Sequence, residues 1–171
     1  MKGLEAFVLP ISGLLDGAHY FLFQVDDRFF SHFEKSLITA GAFEVKLEFD
    51  KRPDLAILHF DFQGHITVNC DRCLELIQIP VSGRNELLIK FGRQAEEEEE
   101  IIYLPWKVEN LNVAKYIYEF ITLAMPLIKK YDCEMDPHAH CNEEVLKYLR
   151  LPDIENDKDS VWSDLKKLNF K

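Results

Sequence analysis

A strict alternation of apolar and charged residues from Phe43 to Asp50 constrains the fold more than any other feature of the sequence. Four apolar side chains alternate there with four charged ones: Phe43, Glu44, Val45, Lys46, Leu47, Glu48, Phe49 and Asp50. Because successive side chains of a β-strand point to opposite faces, a period of two puts all the apolar groups on one face. The segment is therefore predicted to be a strand with one face on a core and the other in water.

Similar runs follow along the chain and predict a sheet rather than a single strand. Arg52–Asp54 has the composition of a turn, and Gly64 is expected to turn the chain a second time. The strand-like runs around these turns and after the first cysteines are Ala56–Gln63, Ile66–Val68, Leu76–Val81 and Leu87–Phe91. Short successive strands joined by tight turns predict an antiparallel meander with one face on the core.

Beyond residue 112 the spacing of the apolar residues becomes helical. They recur every three or four positions up to Pro126, which should end or kink that helix. Asn110 or Asn112 is placed to cap this helix, and Asn142 is placed to cap a second helix over Glu143–Leu149. The period therefore changes from that of strands to that of helices within one chain.

A further short helix is predicted after Asp26 and Asp27, reaching Leu37 and ended by Gly41. Together these elements predict an α+β fold. In it, helices pack against a bent antiparallel sheet or a partly open barrel, and the C-terminal region is helical. Residues 1–150 are expected to form a single domain, and residues 151–171 a polar linker followed by a short amphipathic helix.

The composition is acidic, and this affects which partners the chain can bind. It has 30 acidic and 20 basic residues, a formal net charge of −10. An acidic surface repels phosphate, so a basic partner is favoured over bare nucleic acid; the alternative is that the charge serves only solubility. The run Glu96–Glu100 is expected to be a solvated loop, with an acidic partner-binding finger as the less favoured alternative.

Sequence motifs of enzymes and of export are absent. The chain has no phosphate-binding loop, no dinucleotide fingerprint and no nucleophile elbow. His19, His32, His59 and His65 are scattered and are interpreted as ordinary surface or strand residues rather than catalysts. The first residues lack the pattern of a signal peptide, and no apolar run is long enough for a membrane span. The chain is therefore expected to be a non-enzymatic, cytoplasmic binding protein.

Four cysteines in two clusters predict a metal site. Cys70 and Cys73 form a C-x2-C pair between two predicted strands, which is the usual half of a tetrahedral zinc site. The second cluster supplies the other candidate ligands: Cys133 and Cys141, with His138 and His140 in reserve. The helix ending at Pro126 would have to bring the clusters together. The alternatives are half-buried thiols that pack as small hydrophobes and, less favoured, a thioredoxin-like redox pair.

Four segments, taken together and in their order along the chain, are typical of one protein family. They are Gly64–Glu75 with the C-x2-C pair, the proline-ended Glu119–Pro126, the His138–Cys141 cluster and the Lys-rich Ser160–Leu168. In this order they resemble the YceD family, described as large ribosomal RNA subunit accumulation proteins. Where many relatives carry a histidine or a denser cysteine set after the proline, this chain has Tyr131-Asp132-Cys133, which leaves the third ligand open.

The resemblance implies a role in ribosomal RNA accumulation or large-subunit assembly, without established catalysis. Binding to a ribosomal precursor particle or a basic ribosomal protein is then expected, with direct RNA contact left open. The alternative is a small zinc-dependent nucleic-acid-binding module, which needs a continuous positive face around Arg72, Arg84, Lys90 and Arg93. The segment Val161–Lys171 is expected to dock a partner or, alternatively, to cover the sheet.

Overall fold

An open sheet of five strands organises the protein. The computed structural model describes residues 3–34, 36–92, 101–130 and 141–149. The strands of this part of the chain are β1 (Val8–Leu9), β2 (Gly17–Val25), β3 (Ala40–Lys51), β4 (Leu55–Asn69), β5 (Leu76–Phe91), β6 (Ile101–Leu104) and β7 (Leu111–Asn112). The α-helices are α1 (Asp27–Phe30), α2 (Ala114–Ala124) and α3 (Glu143–Leu149). Strands β2 to β6 form the sheet in that spatial order, and β1 pairs separately with β7.

The alternating segment from Phe43 to Asp50 is confirmed as the centre of β3. Its apolar side chains are buried, and its charged side chains lie on the opposite, wetter face. The predicted turn is also confirmed, because the amide of Arg52 donates to the carbonyl of Leu55 at 2.8 Å. All of β3 then pairs antiparallel with β4. We call the face that carries the charged residues of β3 the outer face, and the opposite one the inner face.

The core lies on the inner face of the sheet. Helix α2 and residues from the N-terminal part of the chain cover this face. Aromatic pairs join the layers: the ring of Phe60 on β4 meets that of Phe120 on α2 edge-on at 5.1 Å, and Phe33 stacks on Tyr118 at 4.1 Å. Buried apolar area on one face of a sheet, covered by a helix, is the layered arrangement that the sequence predicts. The α+β class is therefore confirmed.

Gly64 does not turn the chain, contrary to the prediction, because β4 continues through it to Asn69. Gly64 is directly opposite Phe43 within the β3–β4 ladder. A Cβ atom at this position would lie 2.0 Å from the carbonyl oxygen of Ala42 and 2.7 Å from the Cα atom of Phe43. Glycine is thus present because the two backbones approach closely, which is the other common reason for a glycine inside a strand.

The sheet is mixed rather than antiparallel throughout. The runs Leu76–Val81 and Leu87–Phe91 belong to one continuous strand, β5, and β6 pairs with β5 in parallel, with Leu88 opposite Ile101. Periodicity reports which face a side chain occupies but not the direction of the neighbouring strand, so the sequence could not reveal this. Within the described residues the sheet is not a closed barrel, because β2 and β6 are its two edges.

The first helix is capped as predicted but is shorter than expected. Asp26 Oδ1 accepts from the amide of Phe29 at 3.2 Å, but α1 ends at Phe30 instead of reaching Leu37. Gly41, predicted to stop this helix, lies in β3. The cause is a competing contact, because the amide of Gly41 donates to Asp27 Oδ1 at 2.7 Å and draws the chain into the sheet.

The two later helices agree with their predicted limits. Asn112 Oδ1 accepts from the amide of Ala114 at 2.9 Å, but the N-cap residue of α2 is Val113, which makes no side-chain cap; α2 ends two residues before Pro126. Asn142 Oδ1 accepts from the amides that follow it at the start of α3. Several predictions fall on residues outside those that the structure describes: Glu96–Glu100, Cys133, His138, His140 and residues 151–171.

Candidate functional site

The C-x2-C pair lies in the loop that joins β4 to β5. The loop closes on itself, since the amide of Cys70 donates to the carbonyl of Glu75 at 2.8 Å and the amide of Leu74 to the carbonyl of Cys70 at 2.9 Å. Leu74 has a φ of 62°, in the left-handed region that non-glycine residues seldom adopt. Cys70 and Cys73 are both fully buried. We call residues Cys70–Glu75 the knuckle.

The chain that follows α2 is attached to the knuckle. The amide of Asp71 donates to the carbonyl of Lys129 at 2.7 Å, and the amide of Lys129 donates to Asp71 Oδ2 at 2.7 Å. Two short hydrogen bonds in opposite directions hold these segments side by side. The chain five residues beyond the end of α2 therefore meets the loop that carries the C-x2-C pair.

The later cysteine cluster also approaches the knuckle. Cys141 packs against a small apolar cluster formed by Cys70, Cys73 and Leu146 of α3. The sulfur of Cys141 is in a disulfide, whereas neither Cys70 nor Cys73 is part of one. Among the described residues, no three His, Cys, Asp or Glu side chains form a group that could hold a metal ion. Metal binding at the knuckle stays a prediction.

A second place of interest is a cavity on the outer face of the sheet, with a volume of about 700 Å³. Neighbouring strands in a sheet are rotated relative to one another, so a face of four long strands is not flat. The side chains that line the cavity from the outer face come from β2, β3, β4 and β5: Tyr20, Leu22, Lys46, Glu48, His59, Asp61, Arg84 and Glu86. We call this cavity and these eight residues the outer groove.

The outer groove consists of two rows of side chains in cross-strand register. The Tyr20 row is Tyr20, Glu48, His59 and Glu86, each directly opposite the next across adjacent strands. The Leu22 row is Leu22, Lys46, Asp61 and Arg84, paired in the same way. Directly opposed side chains on one face lie about 5 Å apart at Cβ, so each row forms a continuous strip.

Ion pairs cross the groove without neutralising it. Arg84 Nε lies 3.0 Å from Asp61 Oδ2, and His59 Nδ1 lies 3.4 Å from Glu86 Oε2, which is an ion pair when the imidazole is protonated. The hydroxyl of Tyr20 contacts Glu48 Oε1 at 3.4 Å, which is long for a hydrogen bond. With neutral histidine, the lining has three carboxylates against two cations, so the groove is slightly acidic.

Arg84 and Lys90, two of the residues named for a nucleic-acid module, do not belong to a continuous positive face. Arg84 and Lys90 share the outer face of β5, but Glu86 lies between them and Asp61 pairs with Arg84. Lys90 lies over the ring of Tyr103 at 5.9 Å from its centroid. The prediction for Arg93 falls outside the described part of the chain. The nucleic-acid alternative therefore gains no support here.

Two side chains that belong to neither the knuckle nor the outer groove have shifted pKa values. Burial, followed by the negative charge of Glu119, raises the pKa of Tyr116 on α2. Hydrogen bonds from its own backbone amide and from that of Gly3 lower the pKa of the exposed Glu5 carboxyl. Shifted groups in a cleft are one sign of a catalytic site, and neither of these lines the outer groove.

The fold and these two places define an α+β domain with a groove on the open face of its sheet and a cysteine knuckle joined to its C-terminal part. The model of one protein family, large ribosomal RNA subunit accumulation protein YceD, matches residues 58–169. The chain therefore belongs to the YceD family, as its motifs indicated. Searches of curated proteins and of solved structures gave no match. No helix among the described residues is long and apolar enough to cross a membrane.

The outer groove was missed by the sequence reasoning, which interpreted His59 as an ordinary strand residue. A signal was nevertheless present in the alternation of β3, which identifies Lys46 and Glu48 as solvent-facing. Their neighbours on other strands, Asp61 and Arg84 among them, follow only from the register of pairing. Without that register, the charged residues of four strands could not be recognised as one surface.

Proposed function

We propose that this chain is a non-enzymatic cytoplasmic factor that supports accumulation of large-subunit ribosomal RNA by binding a basic ribosomal protein or a precursor particle. The observation that carries the proposal is membership of the YceD family over residues 58–169. The formal charge of −10 supports a basic partner, because opposite charge speeds encounter and suppresses wrong partners.

The character of the outer groove supports binding rather than catalysis. Its lining includes no serine, threonine or cysteine that could act as a nucleophile beside His59. Its charged side chains are displayed on rigid strands and pair across them, as Arg84 does with Asp61. A surface that combines charged and apolar side chains from four adjacent strands can contact an extended segment of a macromolecule.

Deleting the gene should lower the amount of large-subunit ribosomal RNA relative to small-subunit RNA. The reason is that precursor particles lacking an assembly factor mature slowly and are exposed to degradation. The measurement is the ratio of the two RNAs, together with a sucrose-gradient profile, in the deletion strain and in that strain carrying the gene. An unchanged ratio and profile in the deletion strain would contradict the proposed function.

Zinc binding at the knuckle is a second proposed property of the chain, and it does not depend on which partner the chain binds. Two buried thiols in a C-x2-C loop supply half of a structural zinc site. Cys141 would supply a third ligand once its disulfide is reduced. Bound zinc would hold the knuckle to the C-terminal part of the chain. Zinc favours thiolates, and thiolates form readily only when the cysteines are reduced.

Reduced protein purified without chelator should contain about one zinc per chain, the stoichiometry of a single tetrahedral site. The variant Cys73→Ser should lose the metal, and oxidised wild-type protein should hold less of it. His65→Gln is the control, since it removes a metal-binding side chain from the outer face of β4 and should leave the zinc content unchanged. Elemental analysis makes the measurement. Absence of zinc from the reduced wild-type protein would leave the cysteines as packing thiols.

A further inference from the structure

We propose that the outer groove binds a basic, extended segment of a partner protein, with one lysine or arginine side chain seated over His59 between Glu48 and Glu86. This inference rests on the proposed function and names the surface and the chemistry of its partner. It is carried by three features of the groove: the spacing of its carboxylates, the distribution of its existing ion pairs, and the exposed apolar side chains beside them.

The spacing of the Tyr20 row suits a single cation. Glu48, His59 and Glu86 lie directly opposite one another on β3, β4 and β5. Strands are about 4.8 Å apart, so the two carboxylates arise from positions about 10 Å apart with the imidazole between them. A cationic group above His59 is then about 5 Å from β3 and from β5, and it is within reach of both flexible glutamates. The row offers two acceptors on opposite sides of one cation.

Of the three carboxylates in the outer groove, Glu48 can accept the most further hydrogen bonds. Within the groove, Asp61 is engaged by Arg84 at 3.0 Å. The ammonium of Lys46 lies 3.4 Å from Glu44, outside the Tyr20 row. For Glu48 the described contact is the 3.4 Å approach of the Tyr20 hydroxyl. An ionised carboxylate has about four lone-pair sites, so Glu48 can accept a charged donor without breaking a pair.

The apolar part of the groove lies at its β2 side. Tyr20 and Leu22 are 75% and 59% exposed, although both belong to the regular part of the sheet. Lysine and arginine carry long apolar stems, and their cationic heads are attracted to the face of an aromatic ring. Tyr20 can therefore pack against the stem of a residue whose head lies over the carboxylates. An acidic surface without such a side chain would attract basic segments but would not orient them.

The charge of the groove argues against ribosomal RNA as the occupant. Proteins bind phosphate backbones through lysine and arginine side chains, and this binding releases counterions from the nucleic acid. Here the two cations of the groove, Lys46 and Arg84, are outnumbered by carboxylates, and the chain as a whole is acidic. A basic protein segment suits this potential, whereas RNA would meet repulsion. RNA binding to the groove is accordingly an outcome that would overturn the proposal.

The test compares full-length wild-type protein with Glu48→Gln/Glu86→Gln. The probes are individually purified basic proteins extracted from large ribosomal subunits and a synthetic peptide rich in lysine and arginine, with a fragment of large-subunit RNA as the competing class. The double variant should bind at least one of the basic proteins about tenfold more weakly, as expected for the loss of two charge contacts. Thermal unfolding should be nearly unchanged, because both glutamates are on the wet face of the sheet.

Two further variants distinguish a shaped site from general acidity. Glu119→Gln removes one negative charge from α2, which covers the opposite face of the sheet, and should leave affinity within about twofold of wild type, since a distant charge is screened. Tyr20→Ser keeps every charge and should weaken binding several-fold. Equal affinity of wild type and Glu48→Gln/Glu86→Gln for all basic probes would overturn the proposal, as would RNA binding that these substitutions reduce.

Complementation separates failure of this inference from failure of the proposed function. In the deletion strain, wild-type protein and Glu119→Gln should restore large-subunit RNA, and Glu48→Gln/Glu86→Gln should restore it poorly. Full restoration by the double variant would reject the groove and leave the function intact. A deletion strain with normal large-subunit RNA would instead reject the function, whatever the variants bind in solution.

Discussion

Replacing Gly64 with alanine should destabilise the protein by about 3 kcal/mol or more, at the upper end of what overpacking costs. The added Cβ atom would lie 2.0 Å from the carbonyl oxygen of Ala42 and 2.7 Å from the Cα atom of Phe43. Both are backbone atoms of β3, which pairs with β4 along its whole length, so neither can move without breaking ladder hydrogen bonds. Relief would require the two strands to separate locally, which is why the expected effect is large.

Gly13→Ala is the matched control, because a Cβ atom there meets no described atom within 4 Å apart from those of its chain neighbours. It should change the free energy of unfolding by about 1 kcal/mol or less, since its main effect is on the unfolded chain. Both variants are measured by urea unfolding monitored by circular dichroism. A Gly64→Ala protein as stable as Gly13→Ala would show that β3 and β4 do not approach each other as closely as the structure describes.

Phe60→Ala should destabilise the protein by about 3–5 kcal/mol, the usual cost of removing a fully buried aromatic ring. Phe60 is 1% exposed and its ring meets Phe120 of α2 edge-on at 5.1 Å. It therefore joins the centre of the sheet to the helix that covers it. Alanine would leave a cavity between the sheet and α2. These elements could fill the cavity only by moving closer together.

A double-mutant cycle with Phe120→Ala isolates the contact between the two rings, which should contribute about 0.5–1.5 kcal/mol beyond buried area. Leu22→Ala is the control, because it removes a large apolar side chain from the exposed face of the same sheet and should cost about 0.5 kcal/mol or less. If Phe60→Ala and Leu22→Ala had similar effects, the assignment of inner and outer faces would be wrong.

Local patterns in the sequence were enough to identify most elements of the fold. The alternation around Val45 predicted β3 and its buried face, and asparagines 112 and 142 marked the starts of α2 and α3. These predictions succeeded because side-chain period and capping depend on residues within one or two turns of each other. Where they failed, at Gly64 and at Gly41, glycine was interpreted as a break although it serves close packing between strands.

For the knuckle, too, the sequence identified the local feature and the fold identified the distant contacts. The sequence singled out the knuckle, since Cys70 and Cys73 are neighbours along the chain, and it placed a second cluster that includes Cys141. Only the fold shows that Cys141 packs at the knuckle and that Lys129 is hydrogen-bonded to Asp71 there. Local spacing cannot report a contact between segments so far apart in sequence.

The sequence by itself predicted β3 with its buried face and the three helices, and it contained the C-x2-C pair, the acidic charge and the family resemblance. Tertiary structure alone decided that β6 joins the sheet in parallel, that β4 runs straight through Gly64, and that Glu48, His59 and Glu86 form one row. The physical reason is register. Each strand's pattern states which side chains face water, but their neighbours across the sheet depend on how the strands are aligned, and shifting one strand along another changes every neighbour at once.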